Sequence, residues 1–240
     1  VWVYEPTKTE GCQLMAVDPQ FEERLSQFID RQFPGSSVGA VDQLTAGASQ
    51  QTFRVRTRSR DGVQHDYALR RAQPGLVASS QGQLSTSAEV ALLRLAQSAG
   101  VPVPNVICEL EPTHDLGEGY LMEWLEGETL GHRIVKLPEL AEMRATLAHE
   151  CGQTLAKIHT LPVPHSLRRV LPCVSPEVLV RETWDAYIAL NTPQPMIDFT
   201  AQWLLSHLPT TVTQCLVHGD FRNGNLMVSK TGIRAVLDWE

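Results

Sequence analysis

The chain has 240 residues, long enough for one large domain or a two-lobed one with a full hydrophobic core. Its content of 42% hydrophobic and 20% charged residues is typical of a globular protein, and its net charge of −7 gives no reason to expect nucleic acid or an anionic membrane as a partner. No run of 18 apolar residues and no signal-peptide pattern occurs. The five cysteines are widely spaced without a C-x-x-C pair, which is typical of reduced thiols, so we expect a cytoplasmic protein.

Hydrophobic spacing and turn residues predict the elements of the first half of the chain. An N-capping Asp18 followed by Pro19 marks the start of an amphipathic helix. An Asp61-Gly62 pair between two alternating runs is typical of a β-hairpin. The predicted elements before residue 125 are helices at 18–34 and 85–98 and strands at 52–57, 66–70, 105–110 and 119–124.

The second half of the chain is predicted to be mostly helical, with a β-rich end. Helices are expected at 138–159, 176–190 and 195–207. A short apolar strand at 215–217 and a hairpin formed by 226–228 and 233–237 are expected to follow. This order predicts an α+β fold with two unequal lobes. We expect an N-terminal segment at 1–37, a β-rich N-lobe at 38–124 and a helical C-lobe at 125–240.

Polar residues are concentrated at the two ends of the predicted terminal hairpin. The segment HGDFRNGN brings His218, Asp220 and Asn225, and VLDWE brings Asp238. Two carboxylates and an amide oxygen are hard ligands that suit Mg²⁺, which binds one or two protein carboxylates together with substrate phosphates. Phosphoryl transfer needs this chemistry, because the protein mostly positions groups and neutralises charge.

The spacing of these residues also favours phosphoryl transfer over an ordinary turn. Asp220 and Asn225 have the D-x-x-x-x-N spacing of kinase catalytic loops. Asp and Asn are common in turns, so a lone H-G-D would be read as a capped turn. The combination of the full motif with a following V-L-D-W-E argues against that alternative.

HGDFRNGNLM and VLDWE resemble the aminoglycoside phosphotransferase and choline kinase superfamily, which is related to the protein kinases. The resemblance implies a two-lobed protein-kinase-like fold that uses ATP and Mg²⁺. It implies that Asp220 is the catalytic base or orients the acceptor, and that Asn225 and Asp238 bind Mg²⁺. His218 either braces the loop or takes part in proton transfer, and bracing is favoured. In this superfamily the chain continues beyond the second aspartate, so we expect the C-lobe to be incomplete at Glu240.

The same resemblance implies nucleotide-binding residues in the N-lobe. Gly47 and Ser49 lie in a glycine-poor segment where a phosphate-covering turn is expected, although the segment alone would be merely a turn. Arg70 occupies the position of the kinase lysine, and Glu89 is its expected partner, with a solvated helix residue as the alternative. The segment 122–127 resembles the hinge between lobes, so the backbone of Glu123 and Trp124 is expected to bind adenine.

An arginine at position 70 is a departure from the kinase pattern, because its reach and geometry differ from those of lysine. The run ALRR followed by Pro74-Gly75 resembles the phosphotransferase-like branch related to domains joined to acyl-CoA dehydrogenases, in which arginine looks normal at this site. The predicted function is therefore an ATP- and Mg²⁺-dependent phosphotransferase acting on a hydroxyl of a small molecule. A non-catalytic nucleotide-binding or interaction module is the alternative. The sequence does not determine the identity of the acceptor, whether GTP is the donor in place of ATP, or the oligomeric state.

Overall fold

The computed structural model of the chain describes residues 17–44, 50–72 and 84–239. The chain divides into two compact units. One unit contains the described residues up to Val163 together with those from Leu216 onward, and the other runs from Pro164 to Cys215. The predicted functional residues that the structure describes all lie in the first unit.

An N-terminal helix, α1 (Pro19–Gln32), covers one face of the sheet of the first unit. The carboxylate of Asp18 accepts a hydrogen bond from the backbone N–H of Gln20 at 3.0 Å, which confirms the predicted cap. The apolar stripe of the helix packs into a core cluster with the sheet. Its buried residues are Phe21, Leu25, Phe28 and Ile29.

Five antiparallel strands form this sheet, in the order β1-β2-β3-β5-β4. The strands are β1 (Ser37–Gln43), β2 (Gln50–Arg58), β3 (Gln64–Ala72), β4 (Val106–Glu109) and β5 (Gly119–Glu123). The four strands predicted between residues 52 and 124 are confirmed, and β1 is an additional one. Arg70 lies opposite Thr52 on β2 and opposite Tyr120 on β5, so the register places it in the middle of the sheet.

The other face of the sheet packs against helix α2 (Thr86–Ser98), and the hydroxyl of Ser85 caps its start by accepting the backbone N–H of Ala88 at 3.3 Å. Val90, Leu93 and Ala96 of this helix share a core cluster with Tyr120 of β5. Residues near the C-terminal end of the described chain join the same cluster, namely Leu226, Met227, Val236, Leu237 and Trp239. One continuous core therefore holds the N-terminal sheet and the predicted motif segments together.

The rest of the first unit consists of α3 (Gly131–Lys136), α4 (Ala141–His159) and a hairpin of β6 (Leu226–Ser229) and β7 (Gly232–Val236). Short 3₁₀ turns lie at Pro112–His114 and Pro138–Leu140, so the helix predicted from 138 begins as a 3₁₀ turn. The carboxylate of Glu150 on α4 accepts the backbone N–H of Ile233 at 3.1 Å and fixes the hairpin.

The strand predicted at 215–217 is wrong, because the structure has irregular backbone there. Val217 is 61% exposed and so gains nothing from the burial that favours a strand. The apolar run before the H-G-D motif is therefore a surface segment.

The second unit contains α5 (His165–Arg168), α6 (Pro176–Ala189) and α7 (Pro195–Ser206). The two longer helices confirm the predictions at 176–190 and 195–207. The indole N–H of Trp184 on α6 donates to the carboxylate of Asp198 on α7 at 2.8 Å and joins them. Within residues 17–44, 50–72 and 84–239, no helix has the length and apolar character needed to cross a bilayer.

Candidate active site

The loop that follows His218 presents a carboxylate and an amide side by side. The side-chain nitrogen of Asn225 donates to the backbone oxygen of Asp220 at 3.0 Å and to its Oδ2 at 2.9 Å. Asn225 is buried, so these bonds fix its orientation. The Asp220 carboxylate is thereby oriented by its neighbour, and the amide oxygen of Asn225 is the atom that could hold a metal ion.

Asp238 reaches the same place from the end of β7. The backbone N–H of Leu237 donates to the carbonyl of Asn225 at 2.8 Å, which brings the two motif segments into contact. Asp238 has a φ of 65°, a left-handed conformation that is uncommon for a residue other than glycine. Such backbone strain is maintained only where surrounding contacts hold it, and it is concentrated at functional sites.

His218 ties these two segments together through both ring nitrogens. Its Nε2 donates to the carbonyl of Leu237 at 3.0 Å, and its Nδ1 accepts the backbone N–H of Asp220 at 3.3 Å. Burial lowers the pKa of His218, although the Leu237 carbonyl opposes this effect, so the ring is neutral at pH 7. Both nitrogens are engaged with the backbone, and this geometry favours the bracing role over proton transfer.

Arg70 links the N-terminal sheet to Asp238. Its Nε lies 3.3 Å from Oε1 of Glu89, and its Nη2 donates to Oδ1 of Asp238 at 2.9 Å. The side chains of Arg70 and Glu89 are only 6% and 4% exposed. Burial acts to lower the pKa of Arg70, but the nearby Glu89, Tyr120 and Asp238 raise it overall, so the guanidinium stays charged. The structure thus pairs Arg70 with Glu89, as expected from the sequence, and adds the contact to Asp238.

Three further residues contact this site and were not singled out from the sequence. The phenol of Tyr120 donates to Oε1 of Glu89 at 2.9 Å, and the amide of Gln50 contacts both Arg70 and Glu89. Arg222 donates through Nε to both carboxylate oxygens of Asp220, at 2.9 and 2.8 Å.

Different signals bear on these three residues. Arg222 has a sequence signal, since it is a cation two positions after Asp220. Gln50 and Tyr120 have no sequence signal, because the strand register that brings them to Arg70 is not determined by the residues next to them in the sequence.

The remaining predicted nucleotide residues fall into two groups. Gly47 and Ser49 lie outside the described residues. The carboxylate of Glu123 accepts the backbone N–H of Asn105 at 2.8 Å, and the Trp124 ring is covered by the Arg54 guanidinium at 4.4 Å. Both side chains therefore have contacts of their own, and the backbone N–H of Glu123 donates to the carbonyl of Asn105 at 2.9 Å.

The oxygen atoms of Asn225 and Asp238 fit a Mg²⁺ ion that is bound partly by protein and partly by substrate phosphates. Asp238 supplies a carboxylate and Asn225 an amide oxygen, and both are hard ligands. In the described parts of the chain, no three His, Cys, Asp or Glu side chains gather into a metal cage. A cavity of about 10 Å³, room for roughly one water molecule, is lined by Arg70, Glu89, Tyr120 and Asp238.

Three features together define a protein-kinase-like fold. They are a five-stranded antiparallel sheet, a helix whose glutamate pairs with an arginine on a strand, and a hairpin flanked by H-G-D and D-W-E. The fold has a small β-rich N-lobe and a larger, mostly helical C-lobe. A family model described as "Phosphotransferase enzyme family" matches residues 40–240. The chain belongs to this family.

The chain is also similar to longer proteins and to a solved structure. The chain is 29% identical over 231 residues to acyl-CoA dehydrogenase family member 10 of Mus musculus, covering 91% of the chain and 20% of that relative. It is 28% identical over 230 residues to family member 11 of Rattus norvegicus, covering 90% of the chain and 28% of that relative. The chain thus spans well under a third of these relatives. The crystal structure of a candidate aminoglycoside phosphotransferase from Ralstonia eutropha JMP134 matches with a TM-score of 0.68 and 23% identity, over 90% of this chain and 64% of that one.

Proposed function

We propose that the chain is an ATP- and Mg²⁺-dependent phosphotransferase that phosphorylates a hydroxyl group of a small molecule. The observation that carries the proposal is the convergence of Asp220, Asn225 and Asp238 through the contacts of Asn225 with Asp220 and of Leu237 with Asn225. Membership of the phosphotransferase family supports the reaction class.

Each of these residues has a distinct role in the proposal. Asp220 accepts the hydrogen bond of the acceptor hydroxyl and takes its proton as the oxygen attacks the γ-phosphorus, while the bond from that phosphorus to the β,γ-bridging oxygen breaks and ADP leaves. Asn225 and Asp238 hold Mg²⁺, which supplies positive charge to the nucleotide phosphates when it is bound. Arg70 contributes a second, permanent positive charge from the sheet. His218 holds the two loops at a fixed separation.

The contact of Arg222 with Asp220 supports a role for Arg222 beside the proposed acceptor hydroxyl. Its Nε contacts the carboxylate of Asp220, while its Nη1 donates to the carbonyl of Asn223 at 3.0 Å. The ion pair is more than half exposed on both sides. We propose that Arg222 holds the Asp220 carboxylate in the orientation needed for the incoming hydroxyl.

A non-catalytic module was the alternative because of the arginine at position 70. The buried contacts of Arg70 with Glu89 and Asp238 weigh against that alternative, since they supply the ion pair for which a kinase uses lysine. No separate observation favours a purely structural function. The proposal needs no nucleic-acid or membrane partner, and a cytoplasmic location stays a prediction.

An acceptor screen tests the proposed function. The full chain is incubated with Mg·ATP and a panel of hydroxyl compounds, and ATP consumption above the hydrolysis background is measured. The panel includes aminoglycosides, as in the description of the solved structure, and hydroxylated acyl compounds, because the relatives are named for acyl-CoA dehydrogenases.

Two variants make the screen specific for the proposed site. Asp220→Asn is expected to lower turnover by about 100-fold or more while nucleotide binding is retained. Asp61→Asn, a change in an exposed turn, serves as the matched control and is expected to leave turnover unchanged. Full turnover in Asp220→Asn would refute the role given to that carboxylate, and no transfer to any acceptor would favour the non-catalytic module.

A further inference from the structure

The ion pair between Arg70 and Glu89 is enclosed by two neutral side chains from neighbouring strands. Tyr120 on β5 donates its hydroxyl to Oε1 of Glu89 at 2.9 Å. Gln50 on β2 donates through Nε2 to Oε2 of Glu89 at 3.4 Å and accepts from Nε of Arg70 with its amide oxygen. Both oxygens of Glu89 are thus occupied, one by a phenol and the other by an amide.

Three of these four residues are shielded from water, and Gln50 is partly exposed. Tyr120, Glu89 and Arg70 are 2%, 3% and 5% exposed. Hydrogen bonds are electrostatically stronger in such a low-dielectric interior, and an unsatisfied group is correspondingly costly. Burial and the adjacent Glu89 carboxylate raise the pKa of Tyr120 well above its ordinary value, so the phenol keeps its proton and acts as a donor.

Different nitrogens of the guanidinium make the contacts with β2 and α2 and the contact with Asp238. Nε faces Gln50 and Glu89, while Nη2 points to Asp238 at 2.9 Å. An arginine can make both sets of contacts because its donors form a rigid planar fork. A lysine ends in a single ammonium group and has no equivalent of Nε, so it cannot meet the sheet residues and Asp238 in the same way.

We propose that Tyr120 and Gln50 are positioning residues that fix Nε of Arg70 through Glu89 and thereby aim Nη2 at Asp238 and the nucleotide phosphates. They act through Arg70 and Glu89 and do not touch the substrate themselves. The contacts with Tyr120, Gln50 and Glu89 then explain why position 70 holds an arginine and not a lysine. The part of this inference that concerns nucleotide phosphates rests on the proposed function. The contacts among the four side chains do not depend on it.

Calorimetric titration of a non-hydrolysable ATP analogue with Mg²⁺ into the full chain tests the role in binding. Tyr120→Phe removes only the hydroxyl and is expected to weaken binding about tenfold, the value of one hydrogen bond to a charged group. Arg70→Lys is expected to weaken binding by at least as much. Because Tyr120 acts through Arg70, the double variant is expected to bind no more weakly than Arg70→Lys alone.

Tyr67→Phe is the matched control, since Tyr67 lies on the same sheet but packs in the core cluster of α1 and not beside Arg70. It is expected to bind like the wild type. The proposal is overturned if Tyr120→Phe binds like the wild type, or if the effects of Tyr120→Phe and Arg70→Lys multiply, as they would for two independent effects on folding.

A measurement without nucleotide separates failure of this inference from failure of the proposed function. The Nε–H of Arg70 is buried and hydrogen-bonded, so it is expected to give a slowly exchanging ¹H–¹⁵N resonance that disappears in Arg70→Lys. Tyr120→Phe and Gln50→Leu are expected to shift this resonance, and Tyr67→Phe is not. If the wild type binds no nucleotide but the shifts occur, only the proposed function fails. If neither variant shifts the resonance, the positioning role is wrong whatever the nucleotide result.

Discussion

Replacing Arg70 with methionine is expected to destabilise the protein strongly, because it removes the cation from between two carboxylates. The Arg70 and Glu89 side chains are 6% and 4% exposed, and that of Asp238 is 23% exposed. Breaking a buried ion pair by removing one partner costs about 3–5 kcal/mol, since the remaining charge is uncompensated. The expected loss in the free energy of unfolding therefore lies in this range, equivalent to a fall in Tm of about 10 °C for a chain of this size.

A surface ion pair provides the control for this change. Arg94 and Glu109 lie 3.0 Å apart, but their side chains are 52% and 39% exposed. Such pairs contribute about 0–1 kcal/mol, so Arg94→Met is expected to have little effect. Urea unfolding followed by far-ultraviolet circular dichroism measures both variants. If Arg70→Met lies within about 1 kcal/mol of Arg94→Met, the buried network does not stabilise the fold as described.

Neutralising the partner separates charge from packing. In Glu89→Gln combined with Arg70→Met, the uncompensated carboxylate is gone, so the double variant is expected to lose clearly less stability than the sum of the two single losses. A coupling free energy of about 1 kcal/mol or more would show that the two side chains stabilise each other through their charges. Additive losses would contradict the electrostatic explanation.

Three further changes have defined outcomes. Burial lowers the pKa of His218 from 6.5, so stability is expected to fall as the pH drops below about 6.5 toward the folded-state pKa, where only the unfolded chain takes up the proton. His218→Gln should remove up to about 1.4 kcal/mol per pH unit from that slope in urea titrations, and an unchanged slope would contradict it. Gly232→Ala should destabilise more than Gly62→Ala in the same assay. Both glycines have positive φ, but of the two only Gly232 lies where a Cβ would collide with the Glu150 carboxylate and displace it from the backbone N–H of Ile233; equal losses would refute this reason. Arg222→Gln should cost less than about 1 kcal/mol of stability, its ion pair being exposed, yet lower turnover in the acceptor assay, and unchanged turnover would remove Arg222 from the mechanism.

The parts of the fold that the sequence predicts well are those with local signals. Asp18 caps its helix at the expected residue, and the Asp61-Gly62 turn joins two strands as expected. In each case hydrogen bonds and dihedral angles within a few residues decide the structure. The motif residues were also visible, because their chemistry depends on residue type and spacing.

The parts that the sequence did not show depend on contacts between distant segments. Gln50 and Tyr120 reach Glu89 because β2, β3 and β5 pair in one particular register. A shift of that register by one residue would turn both side chains to the other face, and nothing local specifies it. Asp238 was expected to bind metal. Its contact with Arg70 was not predicted, because the two residues are 168 positions apart in the sequence.

The incorrect strand at 215–217 has a related cause. A short apolar run is compatible with a buried strand, but burial depends on what packs against it. Val217 is exposed and the backbone there is irregular, so the run by itself did not determine the structure. Strand β1 was missed for the opposite reason, since its pairing with β2 forms the strand despite a glycine and polar residues.

The most direct test of the central claim is the dependence of nucleotide binding on Mg²⁺ and on Asp238. A non-hydrolysable ATP analogue is titrated into the full chain with and without Mg²⁺, in the wild type and in Asp238→Asn. The proposed site predicts that Mg²⁺ strengthens binding by about tenfold or more in the wild type and that Asp238→Asn loses this gain. Equal binding with and without Mg²⁺ in the wild type, or an unchanged gain in Asp238→Asn, would contradict it.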